Sequence, residues 1–403
     1  MNHQGAHTDD MTQITTSTIR TAQRTRGFTE SVIRGMTRLA TEHNAINLAQ
    51  GFPNFAAPDV IKDAAARAIH DDINQYAVTW GAPRLRKALA ATYRNWYGMD
   101  VDPNTEITVC CGATEAMISA LLAVVDPGDE VIVFEPYYEN YGPDAILCGA
   151  KPVFVPMPIQ GHLDLELLAA AFNENTRAII VNTPNNPTGR VLSREELETL
   201  AELCIRYDVI AFTDEIYERI LYEGEHIPLA TLDGMRNRTI TVSGASKTFS
   251  VTGWRIGTII APADLTGAIR KVHDFLTVGA PAPLQEGVAA GLESLDDSYF
   301  RGLKREYRER RDVICEGLTA SGFKCTPPAG AYYVLADFSA LSDLPDVRFA
   351  EWLTREVGVA TVPGSSFYRS EGAGSNVIRF AFCKTLDLLE EAMGRLAGRW
   401  PTV

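Results

Sequence analysis

Clusters of positive charge are missing from this chain. Its 37 lysines and arginines are outnumbered by 51 aspartates and glutamates, a formal net charge of -14. With no Lys/Arg run, neither nucleic acid nor an anionic membrane is the expected partner. Cysteine is sparse too: seven residues, scattered singly apart from the pair Cys110 and Cys111. An odd count without C-x-x-C spacing argues against both a disulfide framework and a zinc site. The seven histidines show no H-E-x-x-H or other paired metal spacing. No apolar run approaches the roughly 20 residues of a membrane helix. The polar, Thr-rich stretch from Met1 to about Arg26 lacks the apolar centre of a secretory signal. Internal repeats and low-complexity linkers are absent as well. These absences leave a soluble protein, expected in the cytoplasm.

What is present is a core. Apolar residues make up 46% of the 403, enough for one large α/β domain with a smaller companion, or for two ordinary domains. The spacing of Phe28, Val32, Ile33, Met36 and Leu39 predicts an amphipathic helix from about Arg26 to His43. Pro58 opens another helix through about His70, and a third runs from Pro83 to about Tyr97. From Glu106 short β-branched strands alternate with helices. They are Glu106 to Cys110, Val131 to Phe134, Lys151 to Val155, Arg177 to Val181, Val209 to Phe212, Thr239 to Val242 and Ile256 to Ile260. These runs lack in–out alternation, as in a sheet covered on both faces. The expected class is α/β, with a mostly parallel sheet between helical layers. Past about Leu292 come a charged helix (Arg301 to Gly317), a strand (Gly330 to Asp337) and a further helix (Val347 to Val357). A strand around Val377 to Phe382 and a terminal helix end the chain. The expected division is 1–58 for an N-terminal arm and part of a small domain, 59–292 for the large domain, and 293–403 for a smaller α+β domain.

Parallel sheets hold ligands at the carboxyl ends of their strands, and the chemically able residues fall there. Thr239 to Val242 runs into a segment, Ser243 to Gly257, in which small residues crowd Lys247 and Arg255 follows. A partly desolvated lysine loses its proton readily and attacks carbonyl compounds. Lys247 therefore reads as a Schiff-base lysine, or else as a surface lysine in a Ser/Gly loop. Gly112-Ala113-Thr114 can cradle a phosphate at a helix start, or simply cap the helix. Tyr138, in Glu-Pro-Tyr-Tyr, offers a ring for stacking or for packing. The segment Asn182 to Gly189, with two prolines, is a rigid turn whose amides can reach a ligand oxygen. Asp214 can hold a proton on a ring nitrogen, with Tyr217 near an adjacent phenolic oxygen; an N-capping aspartate is the alternative. Together these groups supply one partner for each part of pyridoxal 5'-phosphate (PLP): phosphate, ring face, phenolic oxygen, ring nitrogen and aldehyde.

On the Lys247 segment and Asn186-Pro-Thr-Gly189, the chain from about Arg26 onward resembles the class I aminotransferases of the aspartate aminotransferase fold (fold type I PLP enzymes). The likeness is greatest to the kynurenine/methionine/glutamine branch. The resemblance implies a three-layer α/β/α fold and transfer of an amino group from an L-α-amino acid to a 2-oxo acid. 2-Oxoglutarate is the expected acceptor, and the kinetics ping-pong. It makes Lys247 the covalent PLP lysine and the proton shuttle, and Asp214 the partner of the pyridine nitrogen. It assigns Tyr217 and Asn186 to the phenolic oxygen, Tyr138 to the ring face, and Ala113, Thr114 and Arg255 to the phosphate. Arg379, in Val-Ile-Arg-Phe, would clamp the substrate α-carboxylate, with Gly51 and Asn186 lining that site. Tyr76, in Asn-Gln-Tyr-Ala, would reach the phosphate in the neighbouring subunit, which implies a homodimer with shared active sites. No metal is implied.

Two departures stand out. Many members carry a phosphate-binding serine three positions before the lysine; here that position is Gly244. The stretch Leu276 to Pro283 has no arginine of the kind that dicarboxylate-specific members use. Phe28, Phe55 and Tyr138 would shape the side-chain pocket, which favours neutral, aromatic or sulfur-containing substrates over acidic ones. The same motifs also serve β/γ-elimination or replacement and oxidation in secondary metabolism, which is the alternative reading. A non-catalytic amino-acid sensor is a third, disfavoured by the acidic charge and the absence of a DNA-binding extension.

Overall fold

The computed structural model describes residues 22–397. Of the segment 1–58 expected to form an N-terminal arm and part of the small domain, residues 1–21 lie outside the described residues. The central sheet has seven strands: β1 Ile107–Cys110, β2 Glu130–Glu135, β3 Lys151–Pro156, β4 Thr176–Asn182, β5 Ile210–Asp214, β6 Thr239–Gly244 and β7 Gly257–Ile260. Their order is β1-β7-β6-β5-β4-β2-β3. Neighbours run parallel except at β7, which is antiparallel to both β1 and β6.

The absence of alternation in these strands has a direct cause. Successive side chains point to opposite faces, and here both faces are covered. Val131, Val133, Ile180 and Phe212 pack against Met117 and Leu121 of the helix Ala113–Val124. Ile132, Ile179, Val181 and Ala211 face Leu197, Leu200 and Cys204 of the helix Arg194–Arg206. The register sets Asn182 beside Asp214 and Asp214 beside Val242. The carboxyl ends of β4, β5 and β6 therefore finish at one level.

Beyond the sheet, four strands form an antiparallel layer in the order Val362–Pro363, Val377–Ala381, Tyr333–Asp337, Lys324–Cys325. Ile46–Asn47 pairs in parallel with Val359–Ala360. Ile33, Met36 and Leu48 share one core with Phe349, Phe380 and Leu389, so early and late segments of the chain fold together.

Several expected elements are redrawn. The first helix spans Val32–Glu42 rather than starting at Arg26, because Ser31 caps it by accepting the Arg34 N–H at 3.2 Å. Gln23–Arg26 forms a separate 3-10 turn. The charged helix extends to Asp297–Ala320, capped by Asp296. The strand expected from Gly330 begins only at Tyr333, since Ala331 takes a left-handed φ of 54°. The helix expected to Val357 is α-helical over Asp346–Trp352 and π-helical over Leu353–Val357. Among the described residues, no helix is long and apolar enough to cross a membrane.

One close approach fixes the mouth of the sheet. At the start of β7, a Cβ on Gly257 would overlap the Gly112 carbonyl carbon and lie 2.5 Å from the Ala113 nitrogen. Gly257→Ala is expected to destabilise the protein by about 1–3 kcal/mol through overpacking. Gly267→Ala, in the helix Ala263–Thr277 with nothing within 4 Å of the added carbon, should leave stability unchanged or slightly raised. Thermal melting of the two variants checks this.

Candidate active site

A cleft of about 520 Å3 opens at the carboxyl ends of β4, β5 and β6, within the usual size range of small-molecule sites. Lys247, Asp214, Ala113, Thr114, Tyr138, Asn186, Tyr217, Arg255, Gly51 and Arg379 all line it. Tyr76 does not: it stands 87% exposed on the connection before the helix Pro83–Tyr97.

Asp214, the last residue of β5, is buried on the cleft floor. Tyr141 Oη donates to one carboxylate oxygen at 2.7 Å, and the Ile216 N–H donates to the other at 3.2 Å. Asn182 Nδ2 holds the Asp214 carbonyl at 2.8 Å. Burial raises the Asp214 pKa, opposed by the Tyr141 and Ile216 hydrogen bonds and by the Lys247 charge. A carboxylate so placed favours a cationic ligand group above it.

Lys247 sits on the short helix Ala245–Thr248 that follows β6. Its Nζ donates to the Gly51 carbonyl at 3.1 Å and lies 5.7 and 5.5 Å from the ring centres of Tyr217 and Tyr332. Burial pulls its pKa down to about 8, helped by the positive charges of Arg255 and Arg379. A sizeable fraction of the amine is thus neutral and nucleophilic near neutral pH.

The phosphate end is built from backbone. Gly112, with φ of 87°, turns the chain into the helix Ala113–Val124, whose first residues Ala113 and Thr114 line the cleft with N–H groups that have no partner within the helix. The Arg255 guanidinium lies where a Gly112 side chain would be. The missing serine at Gly244 has a steric reason: a Cβ there would stand 2.6 Å from the Ile256 carbonyl and 3.0 Å from Gly257 Cα. Ser243 is turned away, donating to Glu218 at 2.9 Å. The Ser246 hydroxyl, lining the cleft, remains to serve the phosphate.

At the opposite end Arg379 is fully buried. It donates from Nη1 to Asn186 Oδ1 at 2.8 Å and from Nη2 to the Ala49 carbonyl at 2.5 Å, while its Nε has no partner among the described residues. Tyr333 and Phe367 flank the guanidinium at 4.3 and 4.9 Å. Gly51 has to be glycine because any side chain would overlap the Tyr333 hydroxyl. Tyr333 in turn meets Tyr217 Oη at 3.0 Å. Sequence reasoning missed Tyr141 and Tyr333 and gave Asn182 and Ser246 no role of their own. For Tyr141 a signal exists: it lies three residues after Tyr138, at the start of the helix Tyr141–Leu147.

A buried guanidinium with an unpartnered Nε, a low-pKa lysine and a buried acid thus surround one cavity with a phosphate cradle. Residues 43–396 match the family model described as aminotransferase class I and II. The chain belongs to this family. It is 39% identical over 389 residues to the probable N-succinyldiaminopimelate aminotransferase DapC of Mycobacterium tuberculosis, across 94% of this chain and 98% of that protein. It is 38% identical over 403 residues to human kynurenine–oxoglutarate transaminase 3, across 92% and 89%. The solved structure of N-succinyldiaminopimelate aminotransferase from M. tuberculosis superposes with a TM-score of 0.91 at 40% identity, across 94% and 99%.

This aminotransferase is PLP-dependent, and the residues fit that group. Ala113, Thr114, Ser246 and Arg255 would hold its phosphate, Tyr138 its ring face, Asn186 Nδ2 and Tyr217 its phenolic oxygen, and Asp214 its ring nitrogen. Bound PLP supplies an aldehyde that joins amines and a protonated ring that draws electrons from Cα. Asp214 would keep a proton on that ring nitrogen, with Tyr141 favouring the ionised Asp214. Arg379 would grip the α-carboxylate, its Nε being the unpartnered donor among the described residues. Lys247 would take the Cα proton and return it.

Two outcomes follow. Imine formation by Lys247 in the apoenzyme should reach half its maximal rate near pH 8 and vanish in Lys247→Ala, as followed by stopped-flow absorbance. Tyr141→Phe removes a hydrogen bond that lowers the Asp214 pKa. It should move the acid limb of the pH–rate profile upward and lower kcat roughly tenfold.

Proposed function

We propose that the enzyme transfers the amino group of an L-α-amino acid to 2-oxoglutarate, working as a homodimer with shared active sites in the cytoplasm. The observation that carries the substrate class is Arg379: a buried guanidinium with an unpaired Nε beside Lys247 asks for an α-carboxylate. 2-Oxoglutarate is supported by the name of the human relative.

The dimer is supported by the surface. Ile73, Tyr76 and Val78 on one connection, and Phe275, Leu276 and Val278 at the end of the helix Ala263–Thr277, are exposed apolar residues, Phe275 at 92%. His273 meets the Thr79 carbonyl at 3.0 Å, and a Cβ on Gly279 would lie 3.3 Å from the same oxygen, so the two segments are adjacent and form one patch. Exposed apolar patches of this kind mark association surfaces. Seven free cysteines suit a reducing compartment.

The test is incubation of holoenzyme with an L-amino acid panel and 2-oxoglutarate, measuring glutamate and ammonia. Glutamate formed with parallel double-reciprocal plots supports the reading. Ammonia release without glutamate would replace it with the elimination or oxidation alternative. Light scattering should give a dimer mass that Phe275→Asp lowers. Tyr76→Phe should weaken PLP retention in a protein of unaltered mass.

A further inference from the structure

One cation lining the cleft is uncommitted. Arg34, on the first turn of the helix Val32–Glu42, is exposed. Among the described residues its guanidinium has neither an ion pair nor a hydrogen bond. It borders two spaces at once: the cleft of Lys247 and Arg379, and a cavity of about 750 Å3 that shares Ser31, Glu139, Asn140 and Asp144 with it. Arg34 therefore stands where the cleft continues outward.

The acidic groups around it are engaged or screened. Glu30 is held by Arg38 through both carboxylate oxygens, at 2.6 and 3.1 Å. Glu139 accepts from the Ser31 hydroxyl. Asp144 is buried, and burial pushes its carboxyl up to about 7. Arg26 and Arg369 add positive charge to the outer cavity.

A ping-pong enzyme receives donor and acceptor in the same cleft, so a dicarboxylic acceptor needs a second cation there. The other cations lining the cleft are spoken for: Lys247 by the chemistry, Arg255 by the phosphate end and Arg379 by the α-carboxylate. We propose that Arg34 is the specificity residue for a distal carboxylate, binding the γ-carboxylate of 2-oxoglutarate and the acidic side chain of longer substrates that extend into the outer cavity. The inference rests on the amino-transfer reading above. It points away from the neutral substrates favoured by the aromatic residues in the sequence. A guanidinium grips a carboxylate with two parallel hydrogen bonds, which lysine reproduces only in part.

The experiment compares wild type, Arg34→Gln and Arg34→Lys holoenzymes with 2-oxoglutarate and with pyruvate. In parallel, calorimetry measures binding of glutarate and of butyrate. Arg34→Gln is expected to lower the kcat/KM ratio of 2-oxoglutarate over pyruvate roughly 10- to 100-fold, through KM rather than kcat. The glutarate-to-butyrate affinity ratio should fall by a similar factor, and Arg34→Lys should restore part of both. Equal losses for the two acceptors, or an unaltered glutarate-to-butyrate ratio, overturn the proposal. A wild-type enzyme that transfers to neither acceptor defeats the amino-transfer reading, while the binding ratio still decides the role of Arg34.

Discussion

A carboxylate removed from water must be compensated, and the compensation of Asp214 organises this protein. Two hydrogen bonds, from Tyr141 and the Ile216 N–H, hold it, yet among the described residues no cation pairs with it. Its position at the end of β5, between Asn182 and Val242, follows from the strand register. The sheet therefore presents an uncompensated acid at the base of a cavity, and a protonated ring nitrogen is the ligand group that satisfies it. Everything else in the cleft is placed relative to that point: the ring face, the phosphate turn beside Arg255, and the amine of Lys247.

The same burial shifts the pKa values of the two reactive groups in opposite directions. It pushes the acid toward its neutral form and the lysine toward its neutral form as well. For Lys247 that outcome is useful, since the free amine is the nucleophile and the base. For Asp214 it would be harmful, which gives Tyr141 its importance: a phenol that donates to the carboxylate favours the charged state. Desolvation is shared by the site, while hydrogen bonding decides its effect residue by residue.

Strands were legible because burial on both faces leaves continuous apolar runs, as in Ala178 to Val181 and Val131 to Phe134. Element ends were less so. Phe28 continued a helical period that the Ser31 cap cuts short, and Ala331 carries no mark of its left-handed backbone. Residues facing PLP were readable where short motifs surround them, as at Lys247 and Asp214. Partnerships across the chain were not: Tyr141 meets Asp214 from 73 residues away and Asn186 meets Arg379 from 193. Arg34 was not singled out, since it is a polar position on an amphipathic helix. Only tertiary structure shows that this face looks into the cleft.

The joining of early and late segments has a consequence for how the protein is made. Leu48 to Phe52 is held by Arg379 to Lys384: the Ala381 N–H bonds the Leu48 carbonyl, Arg379 the Ala49 carbonyl, and Lys384 Nζ the Gln50 and Phe52 carbonyls. Arg379 follows Ala49 by 330 residues, on the order of tens of seconds of ribosomal synthesis. All seven strands of the central sheet are complete by Ile260. A nascent chain thus carries Asp214, Lys247 and the phosphate turn well before it has a carboxylate clamp. The sheet residues of the site are translated before Arg379, so the contact between Arg379 and Ala49 closes last.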